Sequence, residues 1–278
     1  MPLWFYDTYQ KEARFGLSVS KSLYHGRSEY QTIDIVETDM FGKVLALDGV
    51  FQTSAGDEYY YHEMLVHPAL TTAPRIETVL VIGGGDGGTV REVLSYPEVK
   101  RVTMVEIDRM VVEACREHLP EIGRAWDDPR LTVLFEDGIA HIEQYQGEPL
   151  DVIIVDGPDP VGPAAGLFES SFYRTCRKQL FESGVLVLQS ESPHIMREDF
   201  CRIVRNVRAV FPRARPYLSP VPIYASGGWS FVFASDAVDP LAVDEERSRR
   251  ASGHCRYYNR EVHDAVFALP NDIREFIR

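Results

Sequence analysis

From residue 78 onward the chain repeats one grammar: a short apolar run of strand character, then a stretch with helical spacing. That alternation restricts the fold more than any other feature. Residues 78–82 form the first run and lead into Gly83-Gly84-Gly85-Asp86-Gly87-Gly88, with a helix expected from Thr89. Residues 101–105 precede a helix over 109–118, and 131–135 precede one near Ala140. Residues 151–155 follow, and then 185–189 precede a helix over 196–210. Strands that are apolar throughout and separated by helices belong to a parallel sheet covered on both faces. A late β pair, around 216–224 and 229–235, closes that sheet. Ahead of it, residues 59–69 are aromatic and helical in pattern. Residues 1–56 follow a different rule. Residues 30–36 alternate imperfectly, 37–42 are turn chemistry, 43–47 form a second strand, and Asp48-Gly49 is a strong hairpin signal. The expectation is a small N-terminal antiparallel β domain over 1–56 and an α/β domain over 57–278.

Composition removes whole classes of function. Of 278 residues, 45% are hydrophobic and 26% charged, as in globular proteins, so disorder and fibrous repeats are excluded. No apolar run reaches the ~18 residues of a membrane span. The start, Met1-Pro2-Leu3-Trp4-Phe5-Tyr6-Asp7, lacks the basic, apolar and small-residue regions of a signal peptide, and a cytoplasmic location is expected. Twenty-nine basic against 42 acidic residues leave a net charge of −13. Such a chain repels phosphates, and the cluster Arg247, Arg249 and Arg250 is offset by Asp244, Glu245 and Glu246. No nucleic-acid or membrane partner is expected. The four cysteines, Cys115, Cys176, Cys201 and Cys255, are far apart and show no zinc-finger spacing; they read as small buried thiols.

Four strand ends carry the chemistry. The glycine loop satisfies GxGxxG, a pattern that nicotinamide and S-adenosylmethionine enzymes share. Asp86 discriminates between them, because a carboxylate there repels a pyrophosphate and attracts an ammonium or sulfonium. Glu106 ends the next strand, 18 residues after Gly88, where a ribose-binding acid belongs. Asp108 reads as a helix cap. Asp137, in Glu136-Asp137-Gly138, can accept a hydrogen bond from an adenine amine or merely cap the following helix. Together these residues describe an adenosine pocket on a Rossmann-like, methyltransferase-type fold. The fourth strand end, Asp156-Gly157-Pro158-Asp159-Pro160-Val161-Gly162-Pro163, sets two carboxylates over that pocket.

With these residues in view, the chain resembles the polyamine aminopropyltransferase family, the spermidine synthases. The resemblance runs nearly end to end. It is carried by Tyr24-His25-Gly26-Arg27-Ser28-Glu29-Tyr30-Gln31, by Leu47-Asp48-Gly49-Val50-Phe51-Gln52 and by Asp57-Glu58-Tyr59-Tyr60-Tyr61-His62-Glu63-Met64. It continues through the four strand ends, Leu167-Phe168-Glu169, Tyr224-Ala225-Ser226-Gly227 and Tyr257-Tyr258-Asn259. The resemblance implies transfer of the aminopropyl group of decarboxylated S-adenosylmethionine to putrescine, giving spermidine and 5′-methylthioadenosine. It implies that Asp156 is the general base. Gln31, His62, Gly84, Asp86, Glu106, Asp137, Gly138 and Pro163 would bind the donor. Gln52, Tyr61, Asp159 and Tyr224 would bind the acceptor; apart from the resemblance, Trp229 is expected to line the same apolar slot and Glu191, just beyond the fifth strand, to be its distal carboxylate. A homodimer or homotetramer is implied. Gly157 and Pro158 stand where the family usually has small hydroxylated residues, and Ala225 stands where it usually has proline.

A sulfonium is already a good leaving group, so no cofactor or metal is expected; the decarboxylated donor is a co-substrate. Agmatine and cadaverine are the alternative acceptors. An S-adenosylmethionine-dependent methyltransferase is the nearest rival, but its donor's carboxylate would meet Asp86 unfavourably. A silent binding module would not need Asp156 and Asp159 together. A nicotinamide dehydrogenase would need a neutral or basic group in place of Asp86.

Overall fold

The computed structural model describes residues 3–7, 13–160, 162–224 and 228–278. The readings that fall on Val161 and on Ala225, Ser226 and Gly227 lie outside the described residues, as does the Pro163 side chain. The N-terminal sheet is antiparallel, in the order β1 (Leu3–Tyr6), β2 (Gly16–Arg27), β3 (Thr32–Thr38), β4 (Gly42–Leu47), β5 (Val50–Ser54). The expected turn joins β4 to β5, with φ of +49° at Asp48 and +80° at Gly49, the two left-handed residues of a tight hairpin. β3 starts at Thr32 rather than Tyr30, because the Ser28 hydroxyl accepts the N–H groups of Tyr30 and Gln31 and holds them in a turn. β2, twelve residues long, has no counterpart in the sequence reading. Its polar residues face solvent, and two register shifts against β3 break the alternation that would reveal a strand.

Helix α1 (Tyr59–Leu70) leads into the main unit, which runs β6 (Thr78–Gly83), α2 (Gly88–Leu94), β7 (Arg101–Glu106), α3 (Arg109–His118), β8 (Leu131–Phe135), α4 (Gly138–Gln144), β9 (Leu150–Asp156), α5 (Ser170–Gln179), β10 (Leu180–Gln189), α6 (Arg197–Arg208), β11 (Arg213–Ser219) and β12 (Trp229–Ser235). Helices α7 (Glu245–Ser252), α8 (Arg260–Val266) and α9 (Asn271–Phe276) follow. The sheet order is β11-β12-β10-β9-β6-β7-β8. β10, β9, β6, β7 and β8 are parallel, while β12 pairs antiparallel with β10 and β11. The expected α/β fold and the preceding antiparallel sheet are both present. Helices α5 and α7 to α9 were not anticipated, because their exposed faces dilute the apolar periodicity.

Alternation along each central strand divides the core. Val79, Val81, Met104, Val152 and Ile154 pack on one face with Met64, Leu65, Val90 and Val93 from α1 and α2. Leu80, Ile82, Val105, Ile153 and Val155 pack on the other with Phe172, Phe200, Ile203 and Val204 from α5 and α6. Each such side chain, fully buried, contributes about 1.5–3 kcal/mol of transfer free energy. A third cluster joins Ile33, Ile35 and Leu45 of the N-terminal sheet to Val111, Ala114 and Cys115 of α3. That contact sets the N-terminal sheet beside the C-terminal edge of the parallel one.

Candidate active site

Strands β6 and β9 are neighbours, but the chain leaves β6 toward β7 and leaves β9 toward β10, on the opposite side. This is the topological switch point of the sheet, where a crevice opens beyond the strand ends. Gly83 and Asp156 face each other there in register, and the Gly84 N–H donates to the Asp156 carbonyl at 3.0 Å. Gly83 has φ of +86°, and a Cβ on it would stand 2.1 Å from that carbonyl oxygen. Only glycine lets the two strand ends approach this closely.

A cleft of about 460 Å³ occupies the crevice. Gln31, Gln52, Tyr61, His62, Gly84, Asp86, Glu106, Asp137, Gly138, Asp156, Asp159, Tyr224 and Trp229 all line it, so one cavity brings together nearly every residue singled out from the sequence. Glu191 is different. It is fully buried and stands behind the wall, where Gln189 Nε2 donates to its Oε1 at 3.1 Å. Gln189 itself lines the cleft. Glu191 also has a left-handed backbone, φ +70°, held by the Ser230 N–H on its carbonyl and by its own N–H on Gln189 Oε1. A non-glycine residue in that region stores about 1–3 kcal/mol.

Three carboxylates are aimed by backbone N–H groups close to them in sequence. Asp86 Oδ1 accepts the Gly88 N–H at 2.7 Å, and Glu106 Oε1 accepts the Asp108 N–H at 2.9 Å. Asp137 Oδ1 accepts Ile139 N–H at 2.7 Å, so Asp137 caps α4 with one oxygen while its residue faces the cleft. The two readings of Asp137 are compatible. Asp108 caps α3 as expected and also receives the Gln31 amide at 3.0 Å, which orients that side chain.

Asp86 has a second partner. His62, 1% exposed, sits between Glu58 Oε2 at 2.6 Å and Asp86 Oδ2 at 3.2 Å, and Arg91 reaches the same Glu58 oxygen at 2.8 Å. Burial alone would strip the His62 proton, but the two carboxylates outweigh it and hold the imidazole protonated well above its ordinary range. Burial likewise disfavours the Asp86 anion, yet His62 and the Gly88 N–H bring its carboxyl below the ordinary value. Glu106 differs from Asp86 in the balance of these effects. Burial, with Asp108 and Asp156 nearby, pushes it up to about 7.

The other end is built from long-range contacts. The Tyr61 hydroxyl donates to Asp156 Oδ1 at 2.8 Å and the Thr89 hydroxyl to Oδ2 at 2.6 Å. Burial raises the Asp156 carboxyl, Asp86 adds to the rise, and His62 and the two hydroxyls restrain it. Asp159 is raised well above the carboxylate range by burial and by Glu191, with which it shares a hydrogen bond. Tyr224 donates to the Gln52 carbonyl at 2.7 Å and packs on Trp229 and Tyr61, giving this end aromatic walls. Sequence reasoning missed Thr89, Gln189, Glu58 and Arg91. Gln189 alone had a signal, its place at the C-terminal end of a parallel strand.

The sheet order and an acidic cleft at its switch point define a methyltransferase-type α/β enzyme whose site suits cationic substrates. Comparison with known proteins narrows the class. Residues 58–245 match the spermine/spermidine synthase domain, and residues 3–55 match the spermidine synthase tetramerisation domain. The chain is 42% identical over 281 residues to a polyamine aminopropyltransferase of Clostridium perfringens, covering 100% of this chain and 98% of that protein. It is 44% identical over 278 residues to one from Caldicellulosiruptor bescii, covering 100% and 99%. Among solved structures, a spermidine synthase in complex with the transition-state analogue AdoDATO superposes with a TM-score of 0.96 at 38% identity, covering 100% of this chain and 96% of that one. Spermidine synthase from Thermotoga maritima gives 0.94 at 38% identity, with the same coverage. The chain belongs to the spermine/spermidine synthase family, the polyamine aminopropyltransferases.

Proposed function

We propose that the enzyme transfers the aminopropyl group of decarboxylated S-adenosylmethionine to putrescine, forming spermidine and 5′-methylthioadenosine, with Asp156 as general base. The observation that carries this reading is the convergence of Asp86, Glu106, Asp137, Asp156 and Asp159 on one cleft. The likeness to a spermidine synthase that binds a transition-state analogue supports it.

Glu106 and Asp137 accept the ribose hydroxyls and the adenine amine. Asp86, with His62 and Gln31 beside it, takes the ammonium of the aminopropyl group. The acceptor lies between Asp156 and Asp159. Its attacking nitrogen forms a bond to the propyl carbon as the S–C bond breaks, the electron pair returns to sulfur as a neutral thioether, and the ammonium proton passes to Asp156. An alkyl amine with a pKa near 10.4 is neutral in about 4 of 10,000 molecules at pH 7, a cost of roughly 4–5 kcal/mol. A desolvated carboxylate whose affinity for a proton is raised reduces that cost. The Tyr61 and Thr89 hydroxyls fix both of its oxygens, which supports a single direction for proton acceptance. Burial and the neighbouring Glu191 raise the Asp159 carboxyl, and a distal ammonium in the cleft would offset that rise. The reaction as written requires no cofactor. The tetramerisation-domain match supports a homo-oligomer, and no helix among the described residues is long and apolar enough to cross a membrane. We place the enzyme in the cytoplasm.

The test supplies decarboxylated donor with equimolar putrescine, cadaverine and agmatine and identifies products by mass. Spermidine and methylthioadenosine should dominate, with cadaverine slower, because one methylene displaces an amine from its acid by about 1–3 kcal/mol. Methyl transfer from intact S-adenosylmethionine without aminopropyl transfer would overturn the reaction. Agmatine preferred by more than about tenfold would overturn the acceptor, because a guanidinium can pair bidentately with the Asp159 carboxylate that lines the cleft.

A further inference from the structure

Outside the cleft, four side chains from three segments of the chain meet at one point. His67 of α1, Glu92 of α2, and His254 and Cys255 after α7 each offer a ligand atom, and these atoms lie within 4.8 Å of one another. None of the four lines the cleft. His67 is fully buried and Glu92 nearly so, whereas His254 is exposed. The cluster therefore has a buried floor and one open side.

The directions of the bonds distinguish a metal site from a hydrogen-bonded relay. Cys255 Sγ lies 3.0 Å and Glu92 Oε2 lies 3.1 Å from the same nitrogen, His67 Nε2. One N–H cannot point at both, and in a catalytic relay the thiol and the acid would occupy opposite ring nitrogens. The opposite nitrogen, Nδ1, is held instead by the Tyr96 hydroxyl at 2.7 Å. His254 shows the same arrangement: its Nδ1 bonds the Arg250 carbonyl at 3.0 Å, so that nitrogen carries the proton and Nε2 keeps its lone pair. Metal-binding histidines have their second nitrogen fixed in this way. Glu92 is steadied too, since its other oxygen, Oε1, receives Arg91 Nη2 at 2.7 Å.

We propose that His67, Glu92, His254 and Cys255 form a site for one divalent zinc ion that ties the C-terminal segment to helices α1 and α2. The donor set, one sulfur, two nitrogens and one oxygen, is that of four-coordinate zinc. Thiolate and carboxylate together neutralise the charge of the ion. With metal–ligand bonds of about 2.0–2.3 Å, tetrahedral ligands stand roughly 3.3–3.6 Å apart. The His67–Cys255 pair then opens by about half an ångström on binding, a movement that the exposed side permits. Two of the three segments are already joined: Glu63 of α1 accepts the N–H groups of Arg256, Tyr257 and Tyr258 at 2.7–2.8 Å. The site would lock an existing junction. It lies six residues beyond Tyr61 along α1, about 9 Å of helix, so its role is structural, and Arg91, which bonds both Glu92 and Glu58, joins it to the charges behind Asp86. Spacing in the sequence could not reveal it, because only His254 and Cys255 are neighbours in the chain.

The experiment uses the full chain, stripped of metal and kept reduced, with Zn²⁺ and Co²⁺ as probes. Zn²⁺ should bind with one ion per chain and raise the thermal midpoint. Co²⁺ should give the visible d–d bands of a tetrahedral ion together with a thiolate charge-transfer band. Cys255→Ser should remove the charge-transfer band. His254→Ala, on the exposed side and safe for folding, should weaken Zn²⁺ binding by more than about tenfold, a loss that even an outer-shell partner can cause. Failure of the unaltered chain to take up stoichiometric metal would overturn the proposal. So would unchanged spectra in Cys255→Ser, or unchanged affinity in His254→Ala.

Discussion

The two ends of the cleft are made in different ways. At the end assigned to the donor, Asp86, Glu106 and Asp137 each stand at or just beyond the end of a parallel strand, and each is aimed by a backbone N–H two residues further on. At the end assigned to the acceptor, Asp156 is held by hydroxyls 95 and 67 residues away, and Tyr224 is anchored on a carbonyl 172 residues away. The first construction is local in its backbone contacts, with Asp86 alone of the three also held from α1, by His62. The second depends on α1, α2, β5 and the segment after β11 all being in place. Binding of the adenosyl portion should therefore survive substitutions that abolish acceptor alignment.

The largest test of that contrast is Asp156→Asn, which keeps shape and removes proton acceptance. We expect kcat to fall by roughly 10²–10⁴, the range of a general base, with methylthioadenosine affinity nearly intact. Pre-steady-state transfer assays beside equilibrium binding measure both. A near-normal kcat would move the base to another group.

Glu106→Gln comes next. It should weaken donor and methylthioadenosine alike by about 1.5–3 kcal/mol at pH 8, the range for charge-assisted hydrogen bonds. The folded-state value near 7 lies above the ordinary 4.5, so the carboxylate is lost as pH falls through about 7. The unaltered enzyme should lose methylthioadenosine affinity across that window, and the Gln variant should not. Calorimetric titrations from pH 5.5 to 8.5 should show the two converging at the acid end; parallel curves would refute the assignment. By the same shift, protonated Glu106 supports the fold at low pH, and that contribution fades as pH rises through about 7.

Asp86→Asn sharpens the division within the donor end. It should weaken the decarboxylated donor about tenfold more than methylthioadenosine, which has no ammonium to meet it. Equal losses for both ligands, measured by competition binding, would remove Asp86 from amine recognition.

The smallest expected effect is Tyr224→Phe. Loss of its hydrogen bond to the Gln52 carbonyl should destabilise the fold by about 0.5–1.5 kcal/mol. KM for the acceptor should rise while methylthioadenosine binding stays unchanged. Chemical denaturation and steady-state kinetics would show it, and a change confined to the donor would contradict the two-ended description.

The sequence by itself determined the parallel sheet and the strand-end carboxylates. Residues 109–118, 131–135 and 229–235 were read from the sequence with the bounds that the structure gives to α3, β8 and β12. The reason is physical: apolar period, turn chemistry and capping act over a few residues, and in a doubly covered sheet they place each strand end at one edge. β2 escaped notice because its solvent-facing residues and bulges erase the period. Only the tertiary structure decided that Glu191 stands behind Gln189 rather than in the cleft, that Thr89 and Tyr61 clasp Asp156, and that Arg91, Glu58, His62 and Asp86 form a buried chain of charges. Those contacts join residues far apart in the chain, and their directions depend on how α1, α2 and the sheet pack. Burial then sets the charge states, raising Glu106 and Asp159 while His62 keeps Asp86 ionised, and burial is a property of the folded assembly.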